Sequence, residues 1–280
     1  MQHAEGHFNG AADRAIYHQT WLPDVDPRAI ILVAHGAGEH SGRYAKFAQF
    51  FTDRGIAVAA MDHHGHGRSE GRYGYADSFE DYLLDLNQWR ELLGSRFAGL
   101  PMFLLGHSMG GLVTGNYLPD HQAGLVGGIF SGLLLIPAQE PGTIQRFLIK
   151  LLAVVLPRLG VLKLDPDQIC RDPKIVRRYV QDPLVFHGSM STRMLRELFA
   201  GMNRLQDRAT EITLPVLVLH GSKDLLTNPV GSRLLHEKAS AADKALTIYP
   251  GLYHEIFNEP EGESVLAEVL AWCEQRLPQF

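Results

Sequence analysis

A serine, an aspartate and a histidine, in that order, are enough side-chain chemistry for nucleophilic attack on an ester, and this chain carries each at a suggestive place. Ser108 stands in Gly106-His107-Ser108-Met109-Gly110, a G-x-S-x-G pentapeptide. An apolar run of strand length from Met102 to Leu105 leads into it, and a helical pattern follows from Met109. Strand, sharp turn and helix are the context this pentapeptide needs. The turn holds its middle residue in strained geometry, and the flanking glycines lack the Cβ atoms that would clash there. The Ser108 hydroxyl is thereby pushed out at the end of a sheet. The helix N-terminus behind it offers free N–H groups and a dipole that favour developing negative charge.

A serine hydroxyl is a poor nucleophile until a base takes its proton, and the base needs a partner to hold its tautomer. On a strand–turn–helix nucleophile the chain order is serine, acid, histidine. Downstream of Ser108 the histidines are His121, His187, His220, His236 and His254. His254 lies just past the last predicted strand, where a loop carries it over the sheet, and it is the expected base. His220, at a strand end, and His236, on a helix, read as structural or surface histidines. The acid should follow the preceding strand, and the turn Gly221-Ser222-Lys223-Asp224 supplies Asp224 there. Asp207 and Asp243 are its rivals, but neither directly follows a strand. A tetrahedral oxyanion also needs N–H donors, each worth roughly 2.7–4 kcal/mol of barrier. The expected pair is the N–H of Met109, next to the nucleophile, and that of Ala37 in the glycine-rich loop His35-Gly36-Ala37-Gly38. Lys223 reads as a solvated turn residue. His63, His64 and His66 fall within four positions, but no second cluster of suitable spacing accompanies them. A loop shaping the site entrance is expected there rather than a metal site, and the chemistry needs no cofactor.

These residues must be held by a framework. Short alternating patterns between residues 7 and 22 predict edge strands, and Ala29 to Ala34 is a continuous apolar run expected of a strand buried on both faces. Ser41 is a plausible N-cap for a helix carrying Tyr44, Phe47, Ala48 and Phe51, which Gly55 stops. Strand Ile56 to Met61 follows, then a helix capped by Ser78 with Asp81 three residues on. That helix is lined by Phe79, Tyr82, Leu83, Leu86, Trp89 and Leu93. A strand from Leu125 to Ser131 closes the first half. The alternation resumes with a strand from Pro215 to Gly221, a helix from about Val230 to Ala241, a strand from Ala245 to Tyr249 and a helix from about Glu261 to Leu277. Strands alternating with helices predict a mostly parallel central sheet flanked by helices, an α/β class with sites at the carboxyl ends of the strands. The interruption reads as an inserted helical cap, residues 133–210, between core segments 1–132 and 211–280.

At 280 residues, with 45% hydrophobic and 20% charged residues, the chain has ordinary globular usage and suits one core domain with a large insertion. A net charge of −5 gives no basic field for nucleic acid. The N-terminus lacks a basic start and an apolar core, Cys170 and Cys273 form no metal-ligand spacing and read as free thiols with a single disulfide as the alternative, and no apolar stretch reaches the ~18 residues of a membrane span. The expectation is a cytoplasmic protein.

The cap departs from that ordinary pattern. From Thr143 to Leu156 polar residues occur only at 143, 145, 146 and 150, and Leu151 to Leu156 are all apolar. A helix apolar nearly all round must be buried or face lipid. Residues 133–208 hold twelve Lys and Arg against seven Asp and Glu, while the rest of the chain holds fourteen against twenty-four. A basic, apolar cap on an acidic body, with Arg146 and Lys150 one helical turn apart, points to transient docking on an anionic interface, peripheral to a membrane.

The stretches His35 to Tyr44, Asp62 to Gly71, Gly106 to Gly111, Asp182-Pro183-Leu184, His220 to Asp224 and Tyr253-His254 together resemble the monoacylglycerol lipase family of serine α/β-hydrolases over nearly the whole chain. The resemblance implies an α/β-hydrolase fold and hydrolysis of a lipid ester through an acyl-enzyme. It implies Ser108, Asp224 and His254 as triad, with Ala37 and Met109 as oxyanion donors. It further implies that Glu39, Arg43 and Tyr179 help form a polar end around glycerol. Phe257 stands where the family carries a second histidine, three residues after His254. A lysophospholipase or general carboxylesterase would use the same triad, and a non-catalytic binding protein on a hydrolase scaffold is the alternative of a different class. Oligomeric state is not legible.

Overall fold

The computed structural model describes residues 1–278. The elements run β1 (Gln2–Asn9), β2 (Ala15–Leu22), β3 (Ala29–Ala34), α1 (Ala45–Thr52), β4 (Ile56–Met61), α2 (Glu80–Arg96), β5 (Met102–His107), α3 (Met109–His121) and β6 (Gly127–Ser131). They continue with α4 (Thr143–Val155), β7 (Gly160–Lys163), α5 (Pro173–Gln181), β8 (Ser189–Ser191) and α6 (Thr192–Arg208). The chain ends with β9 (Val216–Gly221), α7 (Pro229–Lys238), β10 (Lys244–Tyr249) and α8 (Gly262–Glu274).

Eight of these strands form one sheet in the order β1-β2-β4-β3-β5-β6-β9-β10. The hairpin β1–β2 and the β2–β4 pair are antiparallel; every other neighbouring pair is parallel. The fully buried runs of β3, β4 and β5 need apolar side chains on both faces, and the two cores divide them by alternation. Ile30 and Leu32 pack with α2, α3 and α6 on one face, while Ile31 and Val33 pack with α1 and α8 on the other. Parallel register sets Ala34 opposite Gly106, His107 opposite Ser131, and Gly221 opposite Tyr249. The loops after β3, β5, β6, β9 and β10 therefore leave the sheet at one edge.

Between β6 and β9 the chain leaves the sheet and builds α4, the small β7–β8 pair, α5 and α6. Within that excursion α4 is the outlier. Only Ala153 of its residues is buried, and Ile144, Phe147, Leu151, Val154 and Val155 are each at least half exposed. Arg146 pairs with Glu140 at 2.9 Å at the surface and lies over the Phe199 ring; Lys150 is exposed. Among the described residues no helix is long and apolar enough to cross a membrane.

Some local expectations need correction. Ser41 is not an N-cap: the His40 side chain accepts from the Gly42 N–H, while Ser41 is buried and gives both its N–H and its hydroxyl to Asp62. The buried Asp62 carboxylate accepts both Ser41 donors, and the Ser41 Oγ accepts from Gln19 Nε2, so the side chain is taken up away from the helix start. Ser78 does accept from the Glu80 N–H at 3.2 Å, but Asp81 reaches across to Arg14 instead of completing a capping box. The first strand begins at Gln2 rather than near residue 7, because hairpin pairing with β2 runs to the chain's start. Asn228 caps α7, which ends at Lys238, short of the expected Ala241.

Candidate active site

Ser108 separates β5 from α3 and takes φ 53° and ψ −117°, a conformation non-glycine residues rarely hold. Packing over-determines the turn. A Cβ on Gly106 would collide with the Gly110 carbonyl, and one on Gly110 with the Ala34 carbonyl. The Ser108 N–H donates to the Ser131 carbonyl at 2.9 Å, and its own carbonyl accepts from Leu112 and Leu134. With its backbone spent in this way, Ser108 keeps its hydroxyl for a cavity of about 110 Å³, which Ala37 and His254 also line.

Asp224 leaves the end of β9 and His254 the loop after β10. His254 Nδ1 lies 2.6 Å from Asp224 Oδ2. The carboxylate is heavily supported: Oδ1 accepts from the N–H groups of Leu226 and Thr227, and Oδ2 accepts the Thr227 hydroxyl at 2.8 Å. His220 Nε2 stands 3.1 Å from the same Oδ2, with its Nδ1 on Ser232 at 2.7 Å. Burial pushes the Asp224 carboxyl up, but the charge of His254 and hydrogen bonds from His220 and His254 outweigh it and hold the group well below the usual carboxylate range. His254 feels the mirror image. Burial disfavours the imidazolium, yet Asp224 first, then Glu255 and Glu39, raise it above the ordinary histidine value. With Nδ1–H committed to Asp224, the neutral ring has Nε2 left to accept a proton. The adjacent His107 is pulled down to about 4 by burial and by His254, so it stays neutral.

Sequence reading placed His220 among structural histidines; the structure puts it on the carboxylate itself. It also missed Thr227 and Glu255. Glu255 takes the Arg43 guanidinium on both oxygens, at 2.6 and 2.8 Å, and Arg43 also reaches Glu39 at 2.7 Å. Glu39 in turn accepts from the Gly36 N–H at 2.6 Å and the Tyr44 hydroxyl at 2.9 Å. Burial alone would raise the Glu39 carboxyl; Arg43 leads the contributions that instead lower it. Arg43 lies 4.8 Å from the centre of the Tyr179 ring. Glu39, Arg43 and Tyr179 are thus brought together, with Glu39, Glu255 and Tyr179 on the cavity wall and Arg43 behind them. Phe257 packs edge-on against Phe47, 5.4 Å between ring centres, in the core of the α1–α8 face.

The rest of the cavity wall is apolar, formed by Leu134, Leu164, Ile169, Met190, Leu198 and Met202 among others. His63, His64 and His66 are buried away from it, with His64 against Asp85 at 3.1 Å and stacked on Tyr82. Among the described residues no group of three or more His, Cys, Asp or Glu has the geometry to hold a metal ion. Cys170 and Cys273 are free and buried, their thiols pushed up to about 12 chiefly by burial. A buried serine at the sheet edge, a charge-held histidine and a mostly apolar cavity with a few polar groups make an arrangement for acyl transfer from an ester with an apolar acyl part.

The chain is similar to known proteins along most of its length. Residues 25–261 match the family described as serine aminopeptidase, S33. A monoacylglycerol lipase of Mycolicibacterium smegmatis is 36% identical over 274 residues, 98% of either chain. The human monoglyceride lipase is 36% identical over 275 residues, covering 96% of this chain and 90% of its own. The crystal structure of a monoacylglycerol lipase from Paleococcus ferrophilus superposes with a TM-score of 0.84 at 33% identity, over 93% of this chain and 99% of that one. Identity at this level along nearly the full length shows that the chain belongs to the monoacylglycerol lipase family of serine α/β-hydrolases.

Proposed function

We propose that the chain hydrolyses monoacylglycerols to fatty acid and glycerol, with Ser108 as nucleophile, His254 as base and Asp224 as its orienting acid. The observation that carries this reading is the 2.6 Å contact of His254 Nδ1 with Asp224, in a cavity that His254 shares with Ser108. As Ser108 Oγ attacks the ester carbonyl carbon, His254 Nε2 takes its proton. The N–H groups of Met109 and Ala37 receive the charge that forms on the carbonyl oxygen. Collapse of that tetrahedral species breaks the bond to glycerol, whose oxygen leaves with the proton from His254. A water, deprotonated by the same ring, then attacks the acyl-Ser108 ester; fatty acid leaves and the serine recovers its proton.

Glu39, Arg43 and Tyr179 take the glycerol side in this reading. The guanidinium is committed to two carboxylates, so Arg43 acts there by holding Glu39 and Glu255 in place. The apolar wall takes the acyl chain. Residues 133–210 serve as the cap over both, and the exposed apolar face of α4 rests on a lipid surface from which substrate enters. Lys150 contributes attraction to anionic headgroups, of ~1 kcal/mol for a residue near the surface. A peripheral, cytoplasmic-side location fits that role.

The test is a rate panel over monoacyl-, diacyl- and triacylglycerols and a lysophospholipid, each at several chain lengths. Monoacylglycerols should give the highest kcat/KM. A lysophospholipid ahead of every monoacylglycerol would assign the polar end to a phosphorylated leaving group and overturn the glycerol reading.

A further inference from the structure

Three backbone groups of the loop from Gly36 to Gly38 are held by the surrounding protein. The Gly36 N–H is held by Glu39 at 2.6 Å, and the Gly38 carbonyl accepts from the Phe186 N–H at 2.8 Å. The Gly36 carbonyl lies 2.8 Å from His35 Nδ1. The Ala37 N–H makes no hydrogen bond among the described residues, and neither do the Ala37 carbonyl and the Gly38 N–H. The contact to the Gly36 carbonyl depends on the state of one ring. His35 Nε2 lies 2.9 Å from the backbone N–H of His63, a group that only donates, so Nε2 must be the bare nitrogen and accept. The proton then sits on Nδ1, which donates to the Gly36 carbonyl. Both ring contacts are buried, and burial drives His35 well below the ordinary histidine value, so the ring stays neutral and keeps this tautomer.

A peptide's C=O and N–H point in opposite directions across a trans bond, and the structure has no cis peptide among its described residues. A Gly36 carbonyl turned toward His35 therefore turns the Ala37 N–H away from it. Gly36, Ala37 and Ser108 line the cavity and His35 does not; a Cβ on Gly36 would sit 3.1 Å from the Ser108 Cβ. We infer that His35 is a positioning residue for the reaction: through its Nδ1–H tautomer, fixed by the His63 backbone, it holds the Gly36–Ala37 peptide with its N–H presented to the oxyanion. Without that bond the peptide has freedom to turn over and place a carbonyl where the donor is needed. The inference rests on the assignment of Ala37 as an oxyanion donor.

Two measurements test it. In uniformly ¹⁵N-labelled wild-type protein at pH 8, the His35 ring, identified by its loss in His35→Asn, should show the Nδ1–H tautomer. A ring protonated on Nε2 overturns the lock, whatever Ala37 does. In kinetics, rates are divided by active sites titrated with a fluorophosphonate, so misfolded protein drops out. His35→Leu should lower kcat by about 10²–10³-fold, the cost of one lost oxyanion donor, with KM within about threefold. Affinity for a trifluoromethyl ketone, which forms a tetrahedral oxyanion on serine, should fall in parallel. His35→Asn, whose amide reaches the Gly36 carbonyl in place of Nδ1, should restore most of both. If the tautomer is found but His35→Leu leaves kcat and ketone affinity intact, Ala37 is not the donor and the positioning role falls with it. A loss carried by KM alone, or one that His35→Asn fails to relieve, also overturns it. A wild type that binds no fluorophosphonate would sink the serine-hydrolase reading itself.

Discussion

The sheet edge around Ser108 and the surface of α4 break opposite rules. At the sheet edge polar side chains are inside: Ser108, Asp224, His254, Glu39 and Glu255 are all buried, and the charged ones are each held by two or more donors or an arginine. On α4 apolar side chains are outside, with Ile144 76% and Phe147 64% exposed. Burying charge costs stability unless it is paired, and large exposed apolar patches on soluble proteins mark contact sites. The contrast teaches that the two regions present different chemistry. One is a polar constellation held inside by its partners, and the other is an apolar face left open, which in the proposed function meets a lipid surface. The predictions below ask whether the regions can be broken separately.

The largest effect belongs to the sheet edge. Ser108→Ala should lower turnover on the order of 10⁶-fold, the scale of removing a triad nucleophile. It deletes one small hydroxyl without opening a core cavity, so the melting temperature should barely move, and vesicle binding should be unchanged. Residual activity above a tenth of wild type would put the nucleophile elsewhere.

Next comes Asp224→Asn, with an expected loss of about 10⁴-fold in kcat, because an amide facing Nδ1 favours the wrong tautomer of His254. His220 and Thr227 also donate to this carboxylate, so some loss of thermal stability should accompany it.

The pH profile offers a middle-sized effect. His254 must be neutral to act as base, and its surroundings raise it above the ordinary value of 6.5. The acid limb of kcat/KM should therefore fall above pH 6.5, with activity present above the limb and lost as pH drops through it. Glu255 is among the charges that raise it, so Glu255→Gln should move the limb to lower pH. A limb that stays put or moves up would show that Glu255 does not act on the base.

The smallest effects belong to α4. Phe147→Ala with Leu151→Ala should weaken binding to anionic vesicles by tenfold or more, since full burial of such a side chain is worth ~1.5–3 kcal/mol. Lys150→Gln should cost about fivefold, from ~1 kcal/mol per cation near the surface. Hydrolysis of a short soluble ester should stay within about twofold in both. Equal loss on soluble and vesicle-borne substrates would make α4 a structural cover.

Much of the fold was legible because the signals are local. The apolar runs of β3 to β6 and β9, the Gly106–Gly110 turn and the helix after it need no distant partner to be read. The pairing of Asp224 with His254 was legible for the same reason, each lying in a short loop directly after a strand. Glu255 was not, because its burial makes sense only beside Arg43, 212 residues away in sequence. The tautomer of His35 was hidden similarly: nothing in a glycine-rich loop reveals that the backbone of His63 decides which ring nitrogen is protonated. For α4 the sequence offered two readings, buried or lipid-facing, since periodicity cannot say what covers an all-round apolar helix. The structure leaves that face uncovered among the described residues.

The most direct test of the central claim is rapid-quench mass spectrometry of the wild-type protein mixed with a monoacylglycerol. The expected result is a transient mass gain equal to one acyl group, confined to the peptide that contains Ser108, formed and lost at rates consistent with steady-state kcat, and absent in Ser108→Ala. Full turnover of the monoacylglycerol with no acyl adduct at any quench time, or with the adduct on another residue, would contradict the account.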